Sequence, residues 1–524
     1  MAHFINSKET AVQQALDGCV AASGGGLVRL DGYPFIKVIV RADWDRSRVA
    51  VISVGGSGHE PAHAGFVGAG MLTAAVCGDI FASPSVDAVL AGVLAVTGPA
   101  GCVLIVKNYT GDRLNFGLAA ERARAFGKRV NMVIVQDDIA LPDISRPRGV
   151  AGTLLVHKIV GAVSENGGDL DAVTTAARRA SANAISIGIS LDTCTVPGSP
   201  KEDRIRAGEI ELGLGIHAEA GAQHIPYFDA KQAMSDVVRR FVPQLNGGRY
   251  AALLNTLGAT TALEMSILAD ELQRSAIGPA ISHIIGPAPM MTALDMHGFS
   301  LTLYPLNDED ERLLASDTPL RSWPGLTSFA APRLVPLPDG LTPLRPIASA
   351  NPQTGAFLVR CCTALIAAEA DLNALNAKAG DGTTLAGAAR ALIRNMDQLP
   401  VSDHTQLYRA IGQDLSQTMG GSSGVLLAIF FAAAGDAMSG GHDLVGALRF
   451  GLARVQEVGG AQPGDRTMID ALLPALDALP KGLAAADLPR DFPPLSTRVR
   501  PKEGTDDKAN NSNRRANHRD SARA

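Results

Sequence analysis

The sequence predicts a two-part α/β region followed by an all-α helical bundle and a disordered C-terminal tail. Three observations carry that prediction. Short, mostly apolar β-branched runs alternate with alanine-rich helical segments from about residue 15 to 190. Prolines then crowd the span Trp323 to Ile347, at Pro324, Pro332, Pro336, Pro338, Pro343 and Pro346. Beyond them, residues 354–480 are rich in alanine and leucine and poor in β-branched runs.

Taken in order, Val51–Val54, Cys102–Val106 and Val130–Val135 are apolar on both faces, as parallel strands covered on both sides must be. Arg113–Phe126 has the spacing of a crossover helix between two of them. The longest apolar stretch, Val86 to Val106, is broken by Gly98-Pro99 and reads as helix, turn and strand, not a membrane span. A second part runs from 191 to 330, with no definite strand at its start. Tyr250–Leu254 and Phe299–Tyr304 read as strands, Thr260–Ser275 as a helix, and Gly286-Pro287-Ala288-Pro289 as a turn. The prolines exclude a helix and give an extended linker, assigned to 331–350. Helices are expected at Thr354–Asn376, Thr383–Met396, Thr405–Met419, Gly424–Ala434 and Leu444–Val458, a bundle spanning 351–484. Residues 485–524 read as disordered, because 500–524 offer alanine as their one apolar residue type apart from a proline. The α/β region is therefore set at 8–330, divided at about 190.

Bulk properties narrow the function. A chain of 524 residues corresponds to three or four folding units. A net charge of -5 gives no general footprint for nucleic acid or anionic membrane, so neither is expected as a partner. The six cysteines are scattered without a CxxC pair and fit reduced core positions, Cys361-Cys362 included. The N-terminus lacks a basic segment followed by an apolar one, which makes a cytoplasmic location the expectation.

Three peptides carry chemistry. Gly55-Gly56-Ser57-Gly58-His59-Glu60-Pro61 follows a short strand, so backbone N–H groups can approach a small polar ligand while His59 is presented at the strand end. Lys107-Asn108-Tyr109-Thr110-Gly111-Asp112 follows a second strand. Gly213-Leu214-Gly215-Ile216-His217-Ala218-Glu219 flanks His217 with small residues and leaves its imidazole accessible as a nucleophile. Each has a plainer reading alone: a chain reversal, a helix N-cap at Asp112, a histidine satisfied within a turn.

Together and in this order, the three resemble the substrate domain of the dihydroxyacetone kinases. The resemblance implies that His217 captures the ketose carbonyl covalently as a hemiaminal, that Asp112 is the base, and that His59 is its partner. It implies further that Gly56, Ser57, Gly58 and Lys107 line the substrate. The helical part resembles the family's nucleotide-binding domain through Met419-Gly420-Gly421-Ser422-Ser423-Gly424 and Pro463-Gly464-Asp465-Arg466-Thr467-Met468. That resemblance implies ATP and Mg²⁺ as cofactors, with Thr383, Thr384, Leu385, Ser422, Ser423 and Gly464 at the nucleotide, and a homodimer formed through the substrate domains. The expected activity is ATP-dependent phosphorylation of dihydroxyacetone or a related short ketose such as erythrulose.

Two departures qualify the expectation. The family holds Mg²⁺ with three aspartates; here Asn376 stands at the first position, and the alignment lacks an Asp-Thr-Gly triplet after Gly382, leaving Asp381 as the one charged ligand. The family's further helices, with an Arg-Gly-Arg-like segment and an Asp-Pro-Gly turn, are not matched beyond about Leu483. The alternatives are a ketose-binding protein or pseudokinase, and the cyclising FAD–AMP lyase activity of some fused relatives.

Overall fold

The structure, a computed structural model, describes residues 3–141, 146–217, 219–338, 347–376, 384–465 and 467–478. The chain divides into two compact units, Met1–Leu334 and Val335–Ala524.

The first unit holds two sheets. Six strands, β1 (Leu27–Arg29), β2 (Val38–Arg41), β3 (Ala50–Ser57), β4 (Ala74–Ile80), β5 (Cys102–Lys107) and β6 (Val130–Val135), line up as β1-β2-β4-β3-β5-β6. The four from β4 to β6 are parallel and the first two are antiparallel additions. Strand β5 explains the apolar runs. Val103 and Ile105 pack toward helices α4 (Thr153–Glu165) and α5 (Leu170–Asn183), while Leu104 and Val106 pack toward α2 (Val86–Val96) and α3 (Thr110–Ala125). Fully burying one such side chain is worth about 1.5–3 kcal/mol, so a strand sandwiched this way selects apolar residues at every position. Helix α1 (Ala11–Ala21) precedes this sheet.

The second sheet has the order β13-β11-β10-β12-β7-β8-β9. Its strands are β7 (Ile185–Ser190), β8 (Glu209–Leu212), β9 (Gln223–Pro226), β10 (Tyr250–Thr256), β11 (Ile281–Pro289), β12 (Gly298–Pro305) and β13 (Leu326–Ser328). Helices α6 (Ala230–Phe241) and α7 (Ala262–Arg274) cover one face; helix α8 (Asp308–Ala315) follows β12. Ala251, Leu253, Ile285 and Tyr304 from the other face merge into the core of the first sheet, so the two sheets share one interior.

Several sequence expectations shift. Ile185–Ser190, read with the first half, pairs with β12 in the second sheet. Gly286-Pro287-Ala288-Pro289 is not a turn: it completes β11 beside β10, with a register shift that absorbs the glycine at φ +91°. Within the proline-rich span, Leu326–Ser328 forms an edge strand on β11. Strand β3 runs to Ser57, so its glycines begin inside the sheet.

The second unit is helical: α9 (Pro352–Ala367), α10 (Glu369–Asn376), α11 (Thr384–Arg394), α12 (His404–Thr418), α13 (Gly421–Ser439), α14 (Leu444–Gly459) and α15 (Met468–Ala478). The helix expected over Thr354–Asn376 is two, parted at Ala368. Helix α13 is long and apolar enough to cross a bilayer by composition. Here it is the middle of the bundle: Gly412 of α12 and Gly451 of α14 lie against its backbone, where an added Cβ would stand 2.9 Å and 2.5 Å from the Ala428 and Phe430 carbonyls. The tail expected at 485–524 lies outside the described residues.

Candidate active site

The three peptides converge where parallel strands β3 and β5 end, the usual position of a site in an open sheet. Gly56, Phe81, Ser83, Tyr109, Gly111, Asp112, His217 and Glu219 enclose a cavity of about 290 Å³. Gly56 has no room for a side chain, since a Cβ there would stand 2.6 Å from the Ala82 nitrogen. Ser57 and Gly58 line an adjoining cavity with Glu60, Ile80 and Leu294 instead. The Ser57 hydroxyl is committed to the Gly78 carbonyl at 2.9 Å.

His217 sits in the loop between β8 and β9, part-buried at 15% side-chain exposure, which leaves its ring within reach of a small solute. The loop is pinned by Arg148, whose guanidinium bonds the Gly213 carbonyl and Asp138, each at 2.6 Å. Glu219 folds back onto the histidine. Its Oε2 accepts from the His217 backbone N–H at 2.8 Å, and its Oε1 lies 3.2 Å from Nδ1. Burial alone would raise the Glu219 pKa; the hydrogen bonds from His217 overcome this and bring it to about 2. A carboxylate on Nδ1 assigns the proton to that nitrogen and leaves the lone pair on Nε2.

Aromatic rings fix the imidazole edge-on. Tyr109, His59 and Phe81 have centroids 4.3, 4.8 and 5.5 Å from that of His217. His59 is fully buried, and its Nδ1–H donates to the Thr292 carbonyl at 2.8 Å, leaving Nε2 without a described protein partner. Burial, with Lys107 and His217 adding to it, pushes the His59 pKa well below the ordinary range, so the ring is neutral. Thr292 belongs to the second sheet's side of the unit. Its N–H bonds the His59 carbonyl at 3.2 Å, and the Leu294 N–H bonds the Gly58 carbonyl at 2.8 Å.

Asp112 is not the N-cap of its helix. Tyr109 holds that position, and Asp112 falls in the first turn of α3, buried, where the helix dipole favours its negative charge. Lys107 ends β5 behind the cavity, fully buried. Glu219 and Tyr109 lie within the chemistry-bearing peptides, but their roles come only from three-dimensional neighbours. The glutamate two residues after His217 was a usable signal; Phe81 and Ser83 arrive from the end of β4, where nothing local marks them.

In the helical unit, Ser422 and Ser423 fall in the first turn of α13, whose N-cap Gly420 offers no side-chain bond to the free N–H groups. Leu385 is half-buried in α11. Gly464 is left-handed at φ +98°, its N–H bonded to Asp470 at 2.5 Å. Asn376 ends α10 and Thr384 begins α11, while Asp381 and Thr383 lie outside the described residues. Among the described residues, no group of three or more His, Cys, Asp or Glu is placed to hold a metal ion.

The chain matches the Dak1 domain over residues 17–321 and the DAK2 domain over residues 379–500. It is 46% identical over 504 residues to the dihydroxyacetone kinase of Citrobacter freundii, covering 92% of this chain and 90% of that one. The chain belongs to the dihydroxyacetone kinase family. The crystal structure of the C. freundii dihydroxyacetone kinase with AMP-PNP and Mg²⁺ superposes with a TM-score of 0.71, covering 92% of this chain and 91% of that one. The triokinase/FMN cyclase of Mus musculus is 39% identical over 500 residues, 90% of this chain and 86% of that one. The dihydroxyacetone kinase operon co-activator Dha-DhaQ matches at 30% identity and a TM-score of 0.56, covering 60% of this chain and 98% of the co-activator. In the helical unit the DAK2 match continues past Leu483, where the motifs ceased to be readable.

Proposed function

We propose that the protein is an ATP-dependent dihydroxyacetone kinase that holds its ketose covalently on His217. The observation that carries the reading is the Glu219–His217 pair lining the same 290 Å³ cavity as Asp112. With Nδ1–H directed at Glu219, Nε2 attacks the ketone carbon. The C–N bond forms as the C=O π pair moves to oxygen. The Nδ1 proton passes by way of Glu219 to that oxygen, giving a neutral hemiaminal. A polyol such as glycerol has no carbonyl to be captured. The bound ketose then presents a hydroxyl to Asp112, which accepts its proton as the oxygen attacks the γ-phosphorus of ATP and the bond from that phosphorus to the β-phosphate oxygen breaks, releasing ADP.

The relative crystallised with AMP-PNP and Mg²⁺ supports ATP as donor and Mg²⁺ as its ion. The donor set in this chain does not fit tight Mg²⁺ binding. Asp381 contributes a charge, whereas the Asn376 amide and threonine hydroxyls are neutral oxygens. No step above runs through the ion. Free N–H groups at the start of α13 suit nucleotide phosphate.

The weak metal donor set favours, as a second reading, a ketose-binding protein; the match of the α/β unit to an operon co-activator supports it. The triokinase/FMN cyclase relatives support the lyase as a further activity. A homodimer and a cytoplasmic location complete the proposal.

The test is phosphorylation of dihydroxyacetone by the purified chain, with and without a separately added nucleotide domain from a relative. Activity from the chain alone is the expected result. Activity only after the addition would move the assignment to the ketose-binding reading.

A further inference from the structure

Behind the cavity lies a second set of buried polar side chains that neither carbonyl capture nor phosphoryl transfer uses. His63, just past the glycine-rich peptide, meets His157 of α4 edge to face, with ring centroids 5.1 Å apart. His157 Nε2 lies 2.9 Å from the Ser53 hydroxyl, and that hydroxyl donates to the Ile105 carbonyl at 3.1 Å. Since the hydroxyl proton is committed, His157 is the donor, and its Nδ1 carries a lone pair. That Nδ1, both nitrogens of His63 and the Lys107 ammonium are all buried without a hydrogen bond to any described protein atom. Among the described residues, no carboxylate hydrogen-bonds Lys107 Nζ.

Gly55 keeps the ammonium and an imidazole together. A Cβ at Gly55 would stand 2.6 Å from Lys107 Nζ and 3.2 Å from His63 Nε2, so both nitrogens flank one gap that only glycine leaves open. On its other side the ammonium adjoins the active site: its charge acts on His59, and burial pushes its own pKa down while the charges of Asp112, Glu219 and Asp137 oppose that shift.

We propose that His63 and His157 are positioning residues: neutral imidazoles that steady the Lys107 ammonium without cancelling its charge, so that it is presented to the ketose oxygen. A carboxylate in their place would hold the lysine but consume its field in a buried ion pair. An imidazole lone pair attracts a neighbouring ammonium as a dipole and adds no charge, leaving a preorganised cation for the oxygen that gains electron density on capture. Burial, reinforced by the charge of Lys107, pushes the pKa of His63 well below the ordinary range and that of His157 to about 3, so both stay neutral at working pH.

This inference rests on the ketose reading of the cavity, and the experiment separates the two. Dihydroxyacetone binding to the full chain is measured by calorimetry for the unmodified protein, Lys107→Met, His63→Leu, His63→Gln, Gly55→Ala, and His63→Leu combined with Lys107→Met. The expected results are at least a tenfold loss of affinity for His63→Leu and Gly55→Ala, and recovery to within about threefold for His63→Gln, which keeps an acceptor. In the Lys107→Met background His63→Leu should cost nothing further, a coupling that a merely structural histidine would not show. Equal costs of His63→Leu in both backgrounds, or unmodified-like binding by Gly55→Ala, overturn the inference alone. If His63→Leu fails to fold, Gly55→Ala and His63→Gln still decide it. Absence of binding by the unmodified chain overturns the ketose reading and this inference with it.

Discussion

The two units of this chain keep their family signatures to different degrees, and the difference shows where each kind of site stores its chemistry. In the α/β unit the reactive groups are side chains held by backbone: His59 by the Thr292 carbonyl, and His217 by its own N–H on Glu219. In the helical unit the proposed chemistry depends on charge count, and on our reading of the family motif Asn376 takes the place of an aspartate and a further Asp-Thr-Gly is missing. A scaffold of backbone hydrogen bonds tolerates sequence change around it; a set of carboxylates for a divalent cation does not.

The strongest way to break this contrast is His217→Ala. It should abolish ketose capture, read as loss of the substrate-dependent mass increase in intact-protein mass spectrometry; a persisting increase would refute the assignment. From the other side, replacing Asn376 with Asp and inserting Asp-Thr-Gly after Gly382 should raise kinase activity by about tenfold or more, given what two missing charges cost a metal site. No gain, together with ordinary Mg²⁺ affinity in the unmodified chain, would place the weakness of the helical unit elsewhere.

Glu219→Gln sharpens the comparison at lower amplitude. It keeps the loop bond but loses the carboxylate that takes the Nδ1 proton, so capture should slow by about 10²-fold, within the range of general-base contributions. An unchanged rate in stopped-flow binding would remove Glu219 from the mechanism. The smallest effect is on stability. His157 titrates near 3 in the folded chain, against about 6.5 when exposed. Below 6.5 the unfolded chain therefore takes up a proton that the fold refuses. The stabilisation is complete above 6.5 and is lost as the pH falls toward 3. Calorimetry should show the melting temperature of the first unit falling between pH 7 and 5, with a shallower slope in His157→Gln. An identical slope in the two proteins would contradict the buried, neutral assignment.

How much of this was legible depended on whether the deciding force was local. Cys102–Val106 declared itself because both faces of β5 are buried, so every residue had to be apolar. β8 and β9 left no such trace, being four residues each, with Gln223–Pro226 largely exposed. Gly286-Pro287 carries turn residues, yet pairing with β10 overrides them. Nothing in Ala367-Ala368-Glu369 marks the break between α9 and α10. His59, Asp112 and His217 were readable from their peptides. The lack of a hydrogen-bond partner for the Lys107 ammonium among the described residues was not, because an unpaired charge is a property of three-dimensional neighbours.

The bond from His59 to Thr292 carries a consequence for inheritance. One imidazole of the cluster comes from the first sheet, its anchor and His217 from the second. Neither half could be exchanged, lost or transplanted alone without losing the activity. The pair behaves as one block, because moving either half removes the bond that fixes the other.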